Sequence, residues 1–130
     1  MSNFLINNLI TIINLGAKRK LRFIKINLND LNLNIIKLLY SHGAIRTYLI
    51  KNNKILLYFK FNLRKMIIKL TIISKPSNRI YLNIKNLANL YNKNNFSGFY
   101  IISTHKGLIT SNSSLLKEHL GGELLIKVEI

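Results

Sequence analysis

The spacing of apolar residues changes near Ile45 from a helical to a strand-like pattern, and this change restricts the chain to folds that combine helices with strands. Before the change, residues 3–14 carry apolar side chains at helical spacing, and a second helical pattern follows Asp30. Asp30 is a residue type that favours the N-cap position, so we expect it to cap the second helix. Glycine is favoured just past helix ends, which predicts that Gly16 ends the first helix and Gly43 the second.

Four strands are predicted in the N-terminal half of the chain. The first, residues 21–28, lies between the two helical patterns. The other three follow Ile45, are rich in Ile, Leu, Tyr and Phe, and cover residues 45–50, 54–61 and 66–73. Asn52 and Asn53 separate the first two of these, and such a pair is typical of a tight hairpin.

The clearest break in the chain is the segment 74–78, which contains Pro76, the only proline. Proline and asparagine interrupt regular structure, so we expect this segment to separate two lobes, residues 1–73 and residues 74–130. The C-terminal lobe is predicted to be mainly β with a short helix: strands over 79–82, 99–103, 108–110 and 123–128, a helical turn over 85–91 and a helix over 113–119. The sequence therefore predicts an α+β protein of two small lobes.

Positive charge dominates the composition. Twenty Lys and Arg residues against four Asp and Glu residues give a formal net charge of +16. A fold with this charge repels itself, so a polyanion such as RNA is the expected partner. The alternative is a basic bias from an AT-rich genome, which would also make the abundant asparagine a weak structural signal. Cysteine is absent, which excludes disulfides and cysteine-ligated metal sites.

One polar loop, residues 103–107, carries the side chains best suited to contact RNA. Ser103 and Thr104 can donate and accept hydrogen bonds at base edges and ribose 2′-OH groups. Lys106 can meet a phosphate, and Gly107 lets the backbone turn or approach a partner closely. The alternative for this loop, His105 included, is a polar hairpin turn whose hydroxyl groups bond to their own backbone.

Two further segments are candidates for the same chemistry. Gly121 and Gly122 allow close backbone approach or a positive φ, and Glu123 can accept from a base amino group. Tyr81, beside Arg79, can stack on an unpaired base. The alternatives are a turn before the last strand and half-buried strand packing of the tyrosine.

A catalytic interpretation of the polar loop is disfavoured. It would pair a hydroxyl of the loop with one of the three histidines and one of the four carboxylates. No Gly-x-Ser-x-Gly motif surrounds the serine, and so few carboxylates make acid–base pairs and magnesium sites scarce. We therefore predict a protein that is not an enzyme and that uses no metal, cofactor or small-molecule substrate.

A basic amphipathic protein at an anionic membrane surface is the alternative from another class. Residues 3–14 would supply its apolar helix and the basic run 18–25 its charge. A membrane span needs about 20 mostly apolar residues, and no segment provides them. Residues 1–16 also lack the positive charge that precedes the apolar run of a secretory signal. A protein that works in an organelle without a transit peptide is expected to be made there.

Three motifs occur in order and at suitable spacing: Ile-Ser-Lys-Pro-Ser-Asn-Arg-Ile-Tyr (73–81), Ser-Thr-His-Lys-Gly-Leu-Ile-Thr (103–110) and Leu-Gly-Gly-Glu (120–123). Together they resemble the C-terminal lobe of small-subunit ribosomal protein eight, whose pattern is V-S-(K/R)-P-G-x-R-x-Y, S-T-S-K-G-x-M-T and G-G-E. The N-terminal half is similar more faintly. The resemblance spans nearly the whole chain, and only its last third is specific.

The resemblance implies a two-lobed α+β protein that binds a helix in the central domain of small-subunit rRNA, mainly through its C-terminal lobe. It also implies neighbouring ribosomal proteins in the particle, notably small-subunit protein five. The RNA-binding residues that the motifs imply are Lys75, Arg79, Tyr81, Ser103, Thr104, His105, Lys106, Gly107, Gly121, Gly122 and Glu123.

The chain departs from the family pattern at several positions. His105 stands in place of the second serine of the loop, and Ser77 in place of the glycine after Pro76. Thr11 and Ile13 occupy positions where the family tends to have arginine. Such drift fits a mitochondrial ribosome, and an AT-rich relict plastid is the alternative.

Overall fold

A computed structural model of the protein describes residues 3–62, 65–66, 68–74, 79–83, 85, 98–105, 107–110 and 122–129. The chain divides into two compact units, Met1–Leu70 together with Ile130, and Thr71–Glu129. We refer to them as the N-terminal and the C-terminal unit. Helices and antiparallel sheets are both present, and the predicted α+β class is confirmed. The predicted lobe boundary between residues 73 and 74 stays a prediction.

The N-terminal unit has the predicted order of helix, strand, helix and antiparallel strands, and it also has a short strand pair, residues 61–62 with 65–66, that was not predicted. Its elements are α1 (Asn3–Lys18), β1 (Phe23–Asn27), α2 (Asp30–Ser41), β2 (Thr47–Lys51), β3 (Lys54–Tyr58) and the short strands β4 (Phe61–Asn62) and β5 (Lys65–Met66). The first three strands form an antiparallel sheet in the order β1-β3-β2, and β4 pairs with β5.

The core of this unit lies between the helices and one face of the sheet. Alternate strand residues point to that face and are buried: Ile24 and Ile26 of β1, and Ile55 and Leu57 of β3. The helices α1 and α2 contribute their own fully buried residues, Ile6, Leu9, Ile13, Ile35, Ile36 and Leu39. The period of two in the strands therefore leaves the other sheet face exposed.

The prediction that Gly16 ends the first helix is wrong, because α1 continues to Lys18. A Cβ atom built on Gly16 would lie 2.7 Å from Ile24 Cγ2 and 3.0 Å from two ring atoms of Phe59. The glycine therefore lets the helix approach the sheet closely. The helix is closed instead around Lys20, whose φ is +55°, by bonds from Lys20 N to Ala17 O and from Leu21 N to Gly16 O.

Replacing Gly16 with valine is expected to lower the free energy of unfolding by about 1–3 kcal/mol, because the added carbons overpack the contact with Ile24 and Phe59. Urea denaturation of the full chain measures this. Asn8→Val places the same residue at an exposed position of the same helix and should change stability far less. Equal effects of the two variants would contradict the packing role of Gly16.

The second helix has Asn29, and not the predicted Asp30, as its N-cap. Asn29 is extended at φ −150° and ψ 168°, and its side chain accepts a hydrogen bond from Asn32 N. Asp30 is the first helical residue, where its negative charge interacts favourably with the positive end of the helix dipole. The predicted end near Gly43 is confirmed: Gly43 has a φ of +72° and donates to Tyr40 O, and the next residue, Ala44, donates to Leu39 O.

Asparagine side chains have structural roles in this unit despite the compositional bias. The φ angles of Asn52 and Asn53 are +51° and +60°, which gives the predicted tight hairpin between β2 and β3. The Asn14 amide donates to Leu70 O at 2.7 Å and accepts from Leu70 N at 2.9 Å. This side chain thereby bonds both backbone groups of one residue, as a neighbouring strand would.

The C-terminal unit is built on one antiparallel sheet. Its strands are β6 (Lys69–Ile72), whose first two residues belong to the N-terminal unit, β7 (Tyr81–Leu82), β8 (Gly98–Thr104), β9 (Gly107–Thr110) and β10 (Gly122–Glu129). The order is β6-β10-β8-β9, and β7 pairs with the first two residues of β10. Strands were predicted at each of these places. The predicted helix 113–119 lies outside the described residues, as does the predicted turn 85–91 apart from Lys85.

Candidate nucleic-acid interface

Residues of three motifs meet in one row across the C-terminal sheet. Glu123 of β10 pairs with Tyr81 of β7 on one side and with Ser103 of β8 on the other. Residues directly opposite each other on paired strands point to the same face, with Cβ atoms roughly 4.5–5.5 Å apart. Tyr81, Glu123 and Ser103 therefore lie side by side, and we call them the site row.

Ile80, Ile102 and Leu124 are each adjacent to a residue of the site row and point to the opposite face of the sheet. Tyr100, Ile102 and Leu124 form a buried cluster, and Ile73 and Ile80 pack against it. Because side chains alternate along a strand, burying these residues directs the site row to the other face. Tyr81 is 65% exposed there, whereas tyrosine is usually partly buried in folded proteins.

Arg79 is held at the site row by an ion pair. Its Nη1 lies 3.1 Å from Glu123 Oε1, and the side chains are 40% and 13% exposed, respectively. An ion pair this accessible contributes little to stability, so its main effect is to orient the guanidinium group. A guanidinium carries five N–H donors, which leaves donors for a phosphate.

The polar loop forms a turn between β8 and β9. Thr104 pairs with Gly107, and the Thr104 hydroxyl donates to Gly107 O at 2.9 Å. This bond is the local hydroxyl-to-backbone contact that the alternative interpretation of the loop predicted. Gly107 has a φ of +108°, and no atom lies within 4 Å of a Cβ built on it. A glycine is therefore favoured here by the backbone conformation, whereas space would allow a side chain. His105 is exposed beside it.

Gly122 permits a close approach between backbones at the site row. A Cβ atom built on it would lie 2.2 Å from Ser103 O and 3.3 Å from Ile102 Cγ2. Real Cβ atoms do not come this close to a carbonyl oxygen, so any side chain at this position would displace the strand that carries Ser103. The glycine therefore positions a candidate site residue on the neighbouring strand.

Ser74 is a site-positioning residue that the sequence analysis missed. Its side chain is buried, and its Oγ donates to Leu124 O at 2.6 Å and accepts from Ile80 N at 3.0 Å. Leu124 N in turn donates to Ile80 O. Ser74 follows β6 and bonds to Ile80 and to Leu124 of β10. Ile80 lies between Arg79 and Tyr81, and Leu124 follows Glu123, so Ser74 fixes the backbone beside these three site residues. Its position in the motif 73–81 was the only signal available from the sequence.

The structure brings together five predicted site residues through described contacts or register: Arg79, Tyr81, Ser103, Gly122 and Glu123. Thr104, His105 and Gly107 form the adjoining turn. Lys75, Lys106 and Gly121 lie outside the described residues.

The described residues contain neither a metal-ligand cluster nor a membrane-spanning helix. Among them no group of three or more His, Cys, Asp or Glu side chains is placed to hold a metal ion. No helix in the described part of the chain is long and apolar enough to cross a membrane. The groups that the interface offers are an exposed aromatic ring, hydroxyls, a guanidinium and close-approach glycines.

Comparison with known proteins identifies relatives over nearly the full length. A profile of the family described as Ribosomal protein S8 matches residues 5–128. The small ribosomal subunit protein uS8m of Acanthamoeba castellanii is 33% identical over 126 residues, which cover 95% of this chain and 98% of the relative. The uS8 proteins of Rickettsia typhi and Buchnera aphidicola are 32% and 37% identical, with 93% and 95% of both chains covered.

Proposed function

Because the chain belongs to the ribosomal protein S8 family, whose members are structural and not enzymatic components of the small ribosomal subunit, we propose that it binds the central domain of small-subunit rRNA. The register that places Tyr81, Glu123 and Ser103 in one row, with the Tyr81 ring exposed, supports this proposal most directly. An exposed ring beside hydroxyl groups suits RNA whose bases and 2′-OH groups are accessible.

Each element of the interface has a chemical role in this proposal. The Tyr81 ring stacks on a base, and the Ser103 hydroxyl bonds to a base edge or a 2′-OH group. Arg79, oriented by Glu123, meets a phosphate. The turn at Gly107 lets the backbone come close to the sugar–phosphate chain. Lys75, His105, Lys106 and Gly121 are proposed as further RNA-binding residues because they belong to the three motifs.

The proposed location is the mitochondrial ribosome. A mitochondrial-type relative from Acanthamoeba supports it, and relatives from Rickettsia and Buchnera agree with a bacterial type of ribosome. Small-subunit protein five is proposed as a neighbour in the particle. The membrane-surface alternative loses support because Ile6, Leu9 and Ile13, the apolar face of α1, are at most 1% exposed.

The test is binding of the full chain to a central-domain rRNA fragment and to an unrelated hairpin of equal length. Tyr81→Leu is expected to weaken the first complex about fivefold or more, because base–aromatic stacking contributes roughly 1–3 kcal/mol per base. Ser103→Ala should also reduce the preference for the central-domain fragment.

Matched controls come from the N-terminal unit. Tyr40→Leu removes an exposed ring from α2, and Ser41→Ala removes an exposed hydroxyl that donates to Leu38 O. Both should bind the fragment as the unaltered protein does. Equal affinity for the two RNAs before any substitution, or equal losses in site and control variants, would refute specific binding through the site row.

A further inference from the structure

Most of the positive charge of the chain belongs to the N-terminal unit. Residues 1–70 contain thirteen of the twenty Lys and Arg residues and one of the four acidic residues, Asp30. The remaining sixty residues hold seven basic and three acidic residues. A polyanion that contacted only the C-terminal unit would leave most of the self-repulsion in place. This charge favours an anionic partner that contacts the N-terminal unit itself.

The exposed face of the N-terminal sheet has aromatic rings at one end. Phe23 of β1 pairs with Tyr58 of β3, so their side chains share this face. Their ring centroids are 5.5 Å apart with the planes tilted by 36°, and Phe23 is 42% exposed. The two helices of this unit cover the opposite face, where Ile24 and Leu57 are buried. The rings thus form a small aromatic ledge open to solvent.

Lysines occupy the other end of the same face. Lys54 pairs with Asn27 on one side and with Lys51 on the other, and Lys54 Nζ donates to Asn27 Oδ1. Like charges directly opposite each other on paired strands are destabilising. Among the described residues no carboxylate forms an ion pair with either lysine. A bound phosphate would remove this repulsion.

The two ends are joined in one continuous surface. Lys25 lies between them on β1, and a depression of about 260 Å³ is lined by Phe23, Lys25, Lys51 and Lys54 together with Asn52 and Leu56. Lys54 and Tyr58 are four residues apart along β3, which corresponds to roughly 13 Å between the basic and the aromatic end. We call this surface, from Phe23 and Tyr58 to Lys51 and Lys54, the open face.

We propose that the open face is a second RNA-binding surface, specific for unpaired nucleotides. A base stacks on the Phe23–Tyr58 ledge while the following phosphates lie against Lys25, Lys51 and Lys54. Exposed sheet faces with aromatic residues bind single-stranded RNA in this manner, because every base has a face that can stack. The inference rests on the proposed function only in that the partner is RNA.

The experiment uses the full chain and an unstructured oligouridine of about eight nucleotides, labelled for anisotropy and carrying 5-bromouridine for photo-crosslinking. Phe23→Leu and Tyr58→Leu are each expected to weaken binding about fivefold, since they remove the ring but keep an apolar side chain. Lys51→Gln with Lys54→Gln should reduce the slope of log affinity against log salt by about 1.4. Crosslinks should map to β1 and β3.

Lys37 and Tyr40 on α2 give matched controls, because both are exposed and neither lies on the open face. Lys37→Gln should lower the salt slope by less than about 0.7, which is half the change expected of the double open-face variant, and Tyr40→Leu should leave affinity unchanged. Thermal denaturation of each variant checks that it folds. Crosslinks confined to the C-terminal unit, or control variants that lose as much affinity as the open-face variants, would overturn the proposal.

The two RNA-binding proposals can fail separately. Open-face variants should keep the preference for the central-domain fragment over an unrelated hairpin, whereas Tyr81→Leu should lose it and retain the crosslinks to β1 and β3. In the assembled ribosomal subunit, crosslinks from Phe23 or Tyr58 to a neighbouring protein in place of RNA would also overturn the open-face proposal.

Discussion

Replacing Gly122 with alanine is expected to destabilise the protein by about 3 kcal/mol and to remove its preference for the central-domain rRNA fragment. The added Cβ would lie 2.2 Å from Ser103 O, so a backbone and not a flexible side chain must move. Overpacking of this kind usually costs about 1–3 kcal/mol, and an obstructing backbone places the cost at the upper end. Urea denaturation and binding to the two RNAs measure the two effects.

Gly107→Ala separates crowding from backbone strain. Gly107 has open space around it but a φ of +108°, so alanine there meets only conformational strain, roughly 1–2 kcal/mol. We expect a smaller loss of stability than in Gly122→Ala. A Gly122→Ala variant with unaltered stability and unaltered RNA preference would show that the strands do not approach as described.

Ser74→Ala is expected to lower the free energy of unfolding by about 3 kcal/mol, although it removes a single oxygen atom. The loss leaves Leu124 O and Ile80 N without the partner that Ser74 Oγ provides. Each buried backbone group left unsatisfied costs roughly 1–3 kcal/mol. Because β7 is only two residues long, its residue Tyr81 should also become mobile, and RNA affinity should fall with stability.

Ser41→Ala is the matched control for this prediction. Its hydroxyl donates to Leu38 O but is exposed, so water can replace it and the change should be within about 0.5 kcal/mol. If the two variants have the same dependence of stability on urea, the difference between their urea midpoints reports the contribution of the Ser74 hydrogen bonds to stability. Equal midpoints for the two variants would contradict the role assigned to Ser74.

Local sequence patterns correctly predicted turns and helix ends that are set by neighbouring residues in the chain. The Asn52–Asn53 pair predicted the hairpin because asparagine tolerates the positive φ that the turn requires. Gly43 predicted the end of α2 for the same reason. Apolar runs predicted the strands of both units, and alternation along those strands decides which side chains share a face.

Sequence patterns failed where a residue's role depends on atoms distant in the chain. Gly16 was predicted to end α1, yet it lies within the helix. A glycine stands there because Ile24 and Phe59 leave no room for a Cβ atom. Lys20 closes the helix in a left-handed conformation that lysine rarely adopts. The N-cap prediction was wrong for a local reason instead, because Asn29 and Asp30 are adjacent and both residue types favour the N-cap position.

The three C-terminal motifs and their order indicated the family and the candidate site residues from the sequence alone, because each motif is one continuous stretch of the chain. Only the tertiary structure decided that Tyr81, Glu123 and Ser103 form one row, since strand pairing joins residues twenty or more positions apart. It alone also gave Ser74 and Gly122 their positioning roles. Those roles come from carbonyl and amide groups of other strands, which no local pattern encodes.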